Sequence, residues 1–331
     1  MGENYKIAVI GLGKMGLLHA SILSTLPNVE LVGLCDKSSL IRKFGQKLLK
    51  DVRVVADLEK ILDLRPDIVY VTTPIPSHYS VITGLCSNGV MPNLFVEKTL
   101  SSKYVDSVKL IELAQKSKKA NMVGFMKRFA VTFNKAKNLL KQQEIGQINS
   151  FEAHAFSSDF FGLPESTQAS SRGGVISDLG SHVIDLALWI FEEFEIKPDL
   201  ENTITNGTAH FMVENSKGIN GKFDISWSKE GYHVPEFGLL ISGEKGKIKV
   251  NDDLVELKSN SGLVRSWHRH DLKDNVGFLL GDSEYYREDE YFVNSITNKS
   301  QIESDFHSAS KVDYIIEKVL ARAENIAEKS R

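Results

Sequence analysis

The first 126 residues alternate between short apolar runs and amphipathic segments. The apolar runs are rich in β-branched residues, as expected of strands that are buried on both faces. The segments between them repeat apolar residues at helical spacing. Strands that alternate with helices predict a parallel, doubly wound sheet, in which ligands bind beyond the carboxyl ends of the strands. The predicted strands are Tyr5–Ile10, Glu30–Cys35 and the runs at 66–74, 93–99 and 121–126.

After residue 126 the pattern changes, because one strand-like run of alternating residues follows another without a helix between them. Such succession predicts an antiparallel sheet. A chain of 331 residues exceeds the usual size of one domain. We therefore predict two domains, 1–126 and 127–331, and leave open whether the C-terminal helix, about 305–328, packs back on the first. The strand-like runs occupy 147–159, 203–214, 218–228 and 236–243.

Three glycines follow the first predicted strand in G-x-G-x-x-G spacing and lead into a helical pattern. Gly11 suits a tight turn, Gly13 lets a pyrophosphate approach the backbone, and Gly16 lets helix and strand pack closely. The start of the helix then offers free N–H groups to phosphates. This order predicts a dinucleotide site. Its predicted cofactor-binding residues are Gly11, Leu12, Gly13, Lys14, Met15 and Gly16.

An acid ends the second predicted strand. Asp36 follows Gly16 by 20 residues, where the dinucleotide fingerprint places a carboxylate for the ribose hydroxyls. A carboxylate repels a 2′-phosphate, so the sequence favours NAD over NADP. Lys37, also a predicted cofactor contact, and Arg42 could soften that preference.

Further polar residues lie at the carboxyl ends of the predicted strands at 66–74 and 93–99. Thr73 and Pro74 end the first strand, His78 follows it, and Glu97 and Lys98 lie near the end of the second. Because the carboxyl ends of parallel strands share one edge of the sheet, we expect all five residues at the cofactor crevice.

A mostly apolar helix is predicted from Val175 or Ile176 onward. Asp178, His182 and Asp185 interrupt it at offsets of four and seven residues, so they fall on one helical stripe. Buried carboxylates and imidazoles are costly unless they are paired or functional. We expect a functional role for Asp178 and His182. Softer candidates for substrate contact are Arg128, Arg172 and Asp185.

The composition excludes several classes of function. A net charge of −3, with 42% hydrophobic and 25% charged residues, is ordinary for a soluble globular protein and gives no sign of a nucleic-acid partner. The two cysteines form no disulfide framework, and no metal site is expected, since the His-rich run 267–271 has no further ligands at convincing spacing. No signal peptide or membrane span is recognisable. We therefore expect a cytoplasmic protein.

The motifs together resemble those of the Gfo/Idh/MocA oxidoreductases, the family of glucose–fructose oxidoreductase and inositol dehydrogenase, over nearly the whole chain. The resemblance rests on the run 11–16, Thr73-Pro74 with His78, Glu97-Lys98, and the run 173–185 with its two glycines, Asp178 and His182. It implies an N-terminal Rossmann domain and a C-terminal α+β domain with an open, mostly antiparallel sheet for substrate binding and oligomerisation. A homodimer or homotetramer through that sheet is implied.

The same resemblance assigns roles to individual residues. The catalytic lysine of the family falls on Lys98, and its substrate-side acid and histidine fall on Asp178 and His182. The family's Glu-Lys-Pro motif maps onto Glu97, Lys98 and Thr99, so this chain departs from it at the proline. In the family the bond before that proline is often cis. Whether the Lys98–Thr99 bond is cis or trans stays open at this point.

The expected reaction is hydride transfer between NAD, with NADP as the alternative, and a secondary alcohol of a sugar, nucleotide sugar or cyclitol. His182 is the expected general base, Lys98 the group that stabilises charge on the reacting oxygen, and Asp178 a contact to a neighbouring hydroxyl. Three alternatives are left open: a dinucleotide-binding regulator without catalysis, reduction of a carbon–carbon or carbon–nitrogen double bond, and cycling of tightly held nicotinamide between two sugars.

Overall fold

The computed structural model describes residues 4–86, 91–163, 173–197, 203–205 and 207–329. The chain forms two compact units. The N-terminal unit contains Met1–Met126 and Val276–Asp313, and the C-terminal unit contains Lys127–Asn275 and Tyr314–Arg331. The segment 276–313 therefore groups with the N-terminal unit, although it lies inside the second of the two predicted ranges.

The N-terminal unit is built on a six-stranded sheet in the order β3-β2-β1-β4-β5-β6, and every pairing in it is parallel. The predicted Rossmann sheet is thereby confirmed. The order reverses between β1 and β4, which is where doubly wound sheets bind their ligands. The strands are β1 (Tyr5–Ile10), β2 (Val29–Cys35), β3 (Arg53–Val55), β4 (Ile68–Val71), β5 (Asn93–Glu97) and β6 (Asn121–Gly124).

Helices cover this sheet because its central strands are apolar along their whole length. All four residues of β4 are completely buried, as are Leu94, Phe95 and Val96 of β5. The helices of the unit are α1 (Lys14–Leu23), α2 (Ser39–Leu48), α3 (Leu58–Leu62), α4 (His78–Leu85), α5 (Tyr104–Ser117), α8 (Ser283–Asn298) and the beginning of α9 (Phe306–Lys329).

Helix α8 was not predicted from the sequence. Its run SEYYREDE is dense in charge, which hides the apolar stripe that would have marked it. Three of its acidic residues, Glu284, Glu288 and Asp289, are nonetheless completely buried. The unit therefore encloses a group of carboxylates that require partners.

The C-terminal unit is built on a nine-stranded sheet in the order β15-β14-β13-β12-β7-β11-β10-β8, with β9 paired to β10. The β7–β11 pair is parallel and the other pairs are antiparallel, so the expected mostly antiparallel sheet is confirmed. The strands are β7 (Ile148–Phe156), β8 (Phe194–Ile196), β9 (Thr203–Ile204), β10 (Thr208–Asn215), β11 (Asn220–Ser226), β12 (Glu236–Gly243), β13 (Gly246–Asn251), β14 (Leu254–Ser259) and β15 (Val264–His268).

Helices α6 (Val131–Lys141) and α7 (Ser181–Phe191) belong to the same unit. Helix α7 packs against the sheet through Phe191, whose ring stacks on Phe151 of β7 with centroids 4.2 Å apart. Aromatic pairs of this kind contribute about 0.5–1.5 kcal/mol beyond the area they bury. Among the helices that the structure describes, none is both long enough and apolar enough to cross a bilayer.

Candidate active site

The glycine-rich turn between β1 and α1 has the geometry of a phosphate cradle. Gly11 has φ +95°, and a Cβ there would lie 2.8 Å from the backbone of Thr72. A Cβ at Gly16 would lie 1.8 Å from the carbonyl oxygen of Gly11, so helix and strand meet closely. At Gly13 a Cβ would meet no atom within 4 Å. This open approach, at the start of a ten-residue helix, fits the pyrophosphate of a dinucleotide.

Asp36, the residue predicted to bind the ribose hydroxyls, lies next to this cradle. Asp36 follows the last residue of β2, and its carboxylate accepts hydrogen bonds from the backbone N–H groups of Leu12, at 2.8 Å, and Ser38, at 2.7 Å. The Arg42 guanidinium donates to the backbone carbonyls of Asp36 and Lys37, both at 2.8 Å. The carboxylate is therefore held in place by the same turn that forms the cradle.

Asp36→Asn is expected to weaken NAD binding about 10-fold, because a hydrogen bond to an ionised acceptor contributes about 1.5–3 kcal/mol and one to a neutral acceptor about 0.5–1.5 kcal/mol. Loss of the charge should also improve NADP binding. Titration calorimetry with both cofactors measures the two constants. Asp51→Asn, at an exposed position of the same unit, is the matched control. Equal affinities for NAD in the Asp36 variant and the wild type would contradict the assignment.

The remaining predicted cofactor residues of the N-terminal unit follow β4 and β5. His78, at the start of α4, contacts two backbone carbonyls, that of Thr99 through Nδ1 at 2.9 Å and that of Thr73 through Nε2 at 2.7 Å. Burial lowers the pKa of His78, against the opposing effect of these carbonyls. The imidazole thus joins the segment after β4, where Pro74 lies, to the segment after β5.

Lys98 directly follows β5, and its peptide bond to Thr99 is cis. The question left open by the sequence is therefore answered, although no proline is present. The Lys98 backbone N–H donates to Oε2 of Glu97 at 3.1 Å, and Thr99 is buried. The backbone is thus held on both sides of the lysine side chain. The Glu97 carboxylate binds the N–H of Lys98, and the His78 imidazole contacts the carbonyl of Thr99.

A buried histidine that the sequence did not single out contacts the Glu97 side chain. His19, on α1, contacts Oε1 of Glu97 through Nε2 at 2.9 Å and the carboxylate of Asp289 through Nδ1 at 2.8 Å. His19 and Asp289 are completely buried. Burial lowers the pKa of His19, but the charges and hydrogen bonds of Asp289 and Glu97 outweigh this effect and raise the pKa well above its usual value. Since Asp289 lies 270 residues further along the chain, no local pattern could have indicated the contact.

In the C-terminal unit, Asp178 and His182 lie at the start of the predicted helix. A π-helical turn occupies Ile176–Gly180, and regular α-helix begins at Ser181. Turns of this type often occur at functional sites. His182 is buried, with its ring edge-on to Phe237 at a centroid distance of 4.8 Å, whereas Asp178 is partly exposed.

Two buried ion pairs follow β6. Lys127 binds Asp252 at 2.7 Å and lies over the ring of Phe237. Arg128 binds Asp185 of α7 through two hydrogen bonds, from Nε at 2.8 Å and Nη2 at 2.6 Å. The softer substrate candidates Arg128 and Asp185 therefore contact each other, and any substrate contact by them stays a prediction. Arg172 lies outside the residues that the structure describes.

Arg128→Met is expected to lower the free energy of unfolding by about 3–5 kcal/mol, because it leaves the Asp185 carboxylate buried without its partner. The double variant Arg128→Met/Asp185→Leu should regain most of that loss. Urea denaturation of the three proteins measures the difference. An Arg128→Met protein of wild-type stability, changed only in its affinity for substrate, would instead identify the arginine as a substrate contact.

The site residues define a class of protein. A glycine-rich turn and an acid after β2 of a doubly wound sheet are features of a dinucleotide-binding protein. Within the described residues, no group of His, Cys, Asp and Glu could hold a metal ion. The chain belongs to the Gfo/Idh/MocA family: residues 5–125 match its "Oxidoreductase family, NAD-binding Rossmann fold" and residues 133–249 match its C-terminal domain.

Similar proteins include several dehydrogenases. The chain is 26% identical over 266 residues to a glucose-6-phosphate 3-dehydrogenase of Bacillus subtilis, covering 74% of this chain and 73% of that protein. It is 26% identical over 260 residues to a myo-inositol 2-dehydrogenase of Thermotoga maritima, covering 78% and 74%. The fold matches that of a levoglucosan dehydrogenase, crystallised with NADH and levoglucosan, with a TM-score of 0.82 at 17% identity and 98% coverage of both chains.

Proposed function

We propose that this oxidoreductase acts on a secondary alcohol of a carbohydrate-like molecule: a sugar, a sugar phosphate, a nucleotide sugar or a cyclitol. The observation that carries the proposal is the presence of Lys98 after β5, of Asp178 on the π-helical turn before α7 and of His182 at the start of α7, in a chain of this family. The names of the related dehydrogenases, which refer to a sugar phosphate and an inositol, support the substrate class. A binding protein without catalysis would have no need of these three side chains.

The residues of the N-terminal unit fit NAD. Gly13 leaves space for the pyrophosphate, the N–H groups at the start of α1 face that space, and the Asp36 carboxylate stands where ribose hydroxyls bind. NAD bound there would supply the hydride acceptor for the alcohol carbon, or the hydride donor in the reverse direction. The protein must orient the substrate and manage its proton.

Lys98 supplies a positive charge for the reacting oxygen. Oxidation of an alcohol leaves negative charge on this oxygen as its proton departs, and a protonated amine that donates a hydrogen bond to it lowers the barrier. The backbone of Lys98 is held by Glu97 on one side and, through Thr99, by His78 on the other. A fixed backbone restricts the positions of the ammonium group, which is the condition for effective charge stabilisation.

His182 is the proposed general base. A neutral imidazole has a suitable proton affinity for removing a hydroxyl proton near neutral pH. The edge-on ring of Phe237 and the surrounding burial restrict the orientation of the imidazole. Asp178, which is partly exposed on the preceding turn, is the proposed ligand of a neighbouring hydroxyl.

We further infer a homo-oligomer in the cytoplasm. The sheet of the C-terminal unit carries partly exposed polar pairs, including His154–Glu236 and His210–Asp224, which suit the polar rim of a subunit interface. Both cysteines are free thiols, in keeping with a reducing compartment. Light scattering after size-exclusion chromatography tests the oligomer, and a monomer at micromolar concentration would reject it.

A substrate screen tests the proposed activity. Purified protein is incubated with NAD or NADP and with panels of aldoses, sugar phosphates, nucleotide sugars and inositols, while the absorbance of reduced nicotinamide is followed. Turnover confined to polyhydroxylated substrates, and faster with NAD, is the expected result. Tight NAD binding without turnover of any panel member would favour the regulator instead.

A further inference from the structure

The contacts of His19 require two shared protons. Each ring nitrogen faces a carboxylate: Nε2 faces Glu97 at 2.9 Å, and Nδ1 faces Asp289 at 2.8 Å. Neither a carboxylate oxygen nor an unprotonated ring nitrogen can donate, so each contact needs a hydrogen of its own. A neutral imidazole carries one N–H and cannot satisfy both acids while they are ionised.

The surroundings favour the imidazolium form. Three aromatic rings lie around His19, those of Phe95 at 5.0 Å, Tyr70 at 5.6 Å and Tyr285 at 6.2 Å between centroids. With water excluded by these rings, the two adjacent carboxylates are the charges that compensate the imidazolium.

We propose that His19 is a positioning residue for Lys98, acting as an imidazolium clamped between Asp289 and Glu97. The clamp uses one oxygen of Glu97, and the other accepts the backbone N–H of Lys98 at 3.1 Å. A chain of three contacts thus runs from Asp289 through His19 and Glu97 to the residue that carries the reactive amine. This inference rests on the proposed function, since it assigns Lys98 a catalytic task.

The contacts favour this role over mere filling of the core. An apolar side chain in place of His19 would be sufficient to fill the space among the aromatic rings. The histidine instead binds two carboxylates, which lose hydration when they are buried beside it. One of those carboxylates is the residue immediately before Lys98. Since a displacement of about 1 Å can reduce a rate about 100-fold, fixing Glu97 is of direct use to the chemistry.

The protonation state is measured without any substrate. Protein labelled with ¹⁵N-histidine is examined by NMR at pH 7, and the ring signals of His19 are assigned by their loss in His19→Gln. Two imidazolium-type ring nitrogens are the expected result, with and without NAD. The shifts of a neutral tautomer at pH 7 would overturn the clamp, whatever the activity of the enzyme.

The positioning effect is measured by kinetics. His19→Gln should lower kcat about 10- to 100-fold, while the Kd for NAD and the KM for substrate change less than about threefold. Asp289→Asn, which keeps a hydrogen-bonding partner for Nδ1, should retain more activity than Asp289→Leu. His307→Gln, at an exposed position of the same unit, should match the wild type.

The outcomes separate this inference from the proposed function. Wild-type kcat in His19→Gln overturns the positioning role, as does a parallel loss of kcat, NAD affinity and melting temperature, which would mark a structural residue. If His19→Gln does not fold, the comparison of the two Asp289 variants decides, and equal kcat values for them overturn the inference. If the wild type oxidises no alcohol, the proposed function fails, whereas the NMR result still reports on the clamp.

Discussion

Lys98→Met should lower kcat about 10²- to 10³-fold and leave the Kd for NAD within about twofold of the wild type. The magnitude is that of losing one charged or hydrogen-bonding group that stabilises an oxyanion. Methionine keeps the length and apolar stem of lysine but removes its charge and its donors. Steady-state kinetics on the substrate found by the screen, together with titration calorimetry, separate the two quantities.

Two further variants sharpen the test of Lys98. Lys98→Arg keeps the positive charge with a different donor geometry and should fall between the wild type and the methionine variant. Lys109→Met changes a half-exposed lysine of α5, paired with Asp106, and should leave kcat unaltered. Unchanged turnover in Lys98→Met would remove the lysine from the mechanism and return the whole site to question.

His182→Ala is expected to lower kcat about 10²- to 10⁴-fold, the usual contribution of a general base. The effect should be larger on kcat than on the Kd for NAD, since the histidine belongs to the C-terminal unit and the nucleotide cradle to the other. His270→Ala, with a side chain that is 80% exposed, is the matched control. A loss confined to KM would assign His182 to substrate binding, and proton removal would then need another residue.

The features of the site that could be predicted from the sequence are those formed by residues that lie close together along the chain. The glycines at 11–16 and Asp36 occur within one strand–helix–strand segment, so their spacing carries the information. Glu97 and Lys98 could be placed because a run of buried residues ends just before them. In each case the backbone of a single segment determines the geometry.

Other features depend on residues that the sequence separates widely. The His19–Asp289 contact joins positions 270 residues apart, and the Lys127–Asp252 pair joins positions 125 residues apart. Helix periodicity could not distinguish the π-helical turn at Ile176–Gly180 from ordinary α-helix, because apolar residues continue through both. The cis bond before Thr99 was undecidable for another reason, since the usual indicator, proline, is missing.

The grouping of residues 276–313 with the N-terminal unit has a consequence for biosynthesis. Domains commonly fold as they emerge from the ribosome, the N-terminal one first. Here the first 126 residues are made early, but helix α8 and its Asp289 are made only after residues 127–275 of the other unit. Until then His19 lacks one of its two carboxylates. The nucleotide-binding unit is thus begun first but not completed until residue 313 has been made, so a chain stopped at residue 275 would release it unfinished.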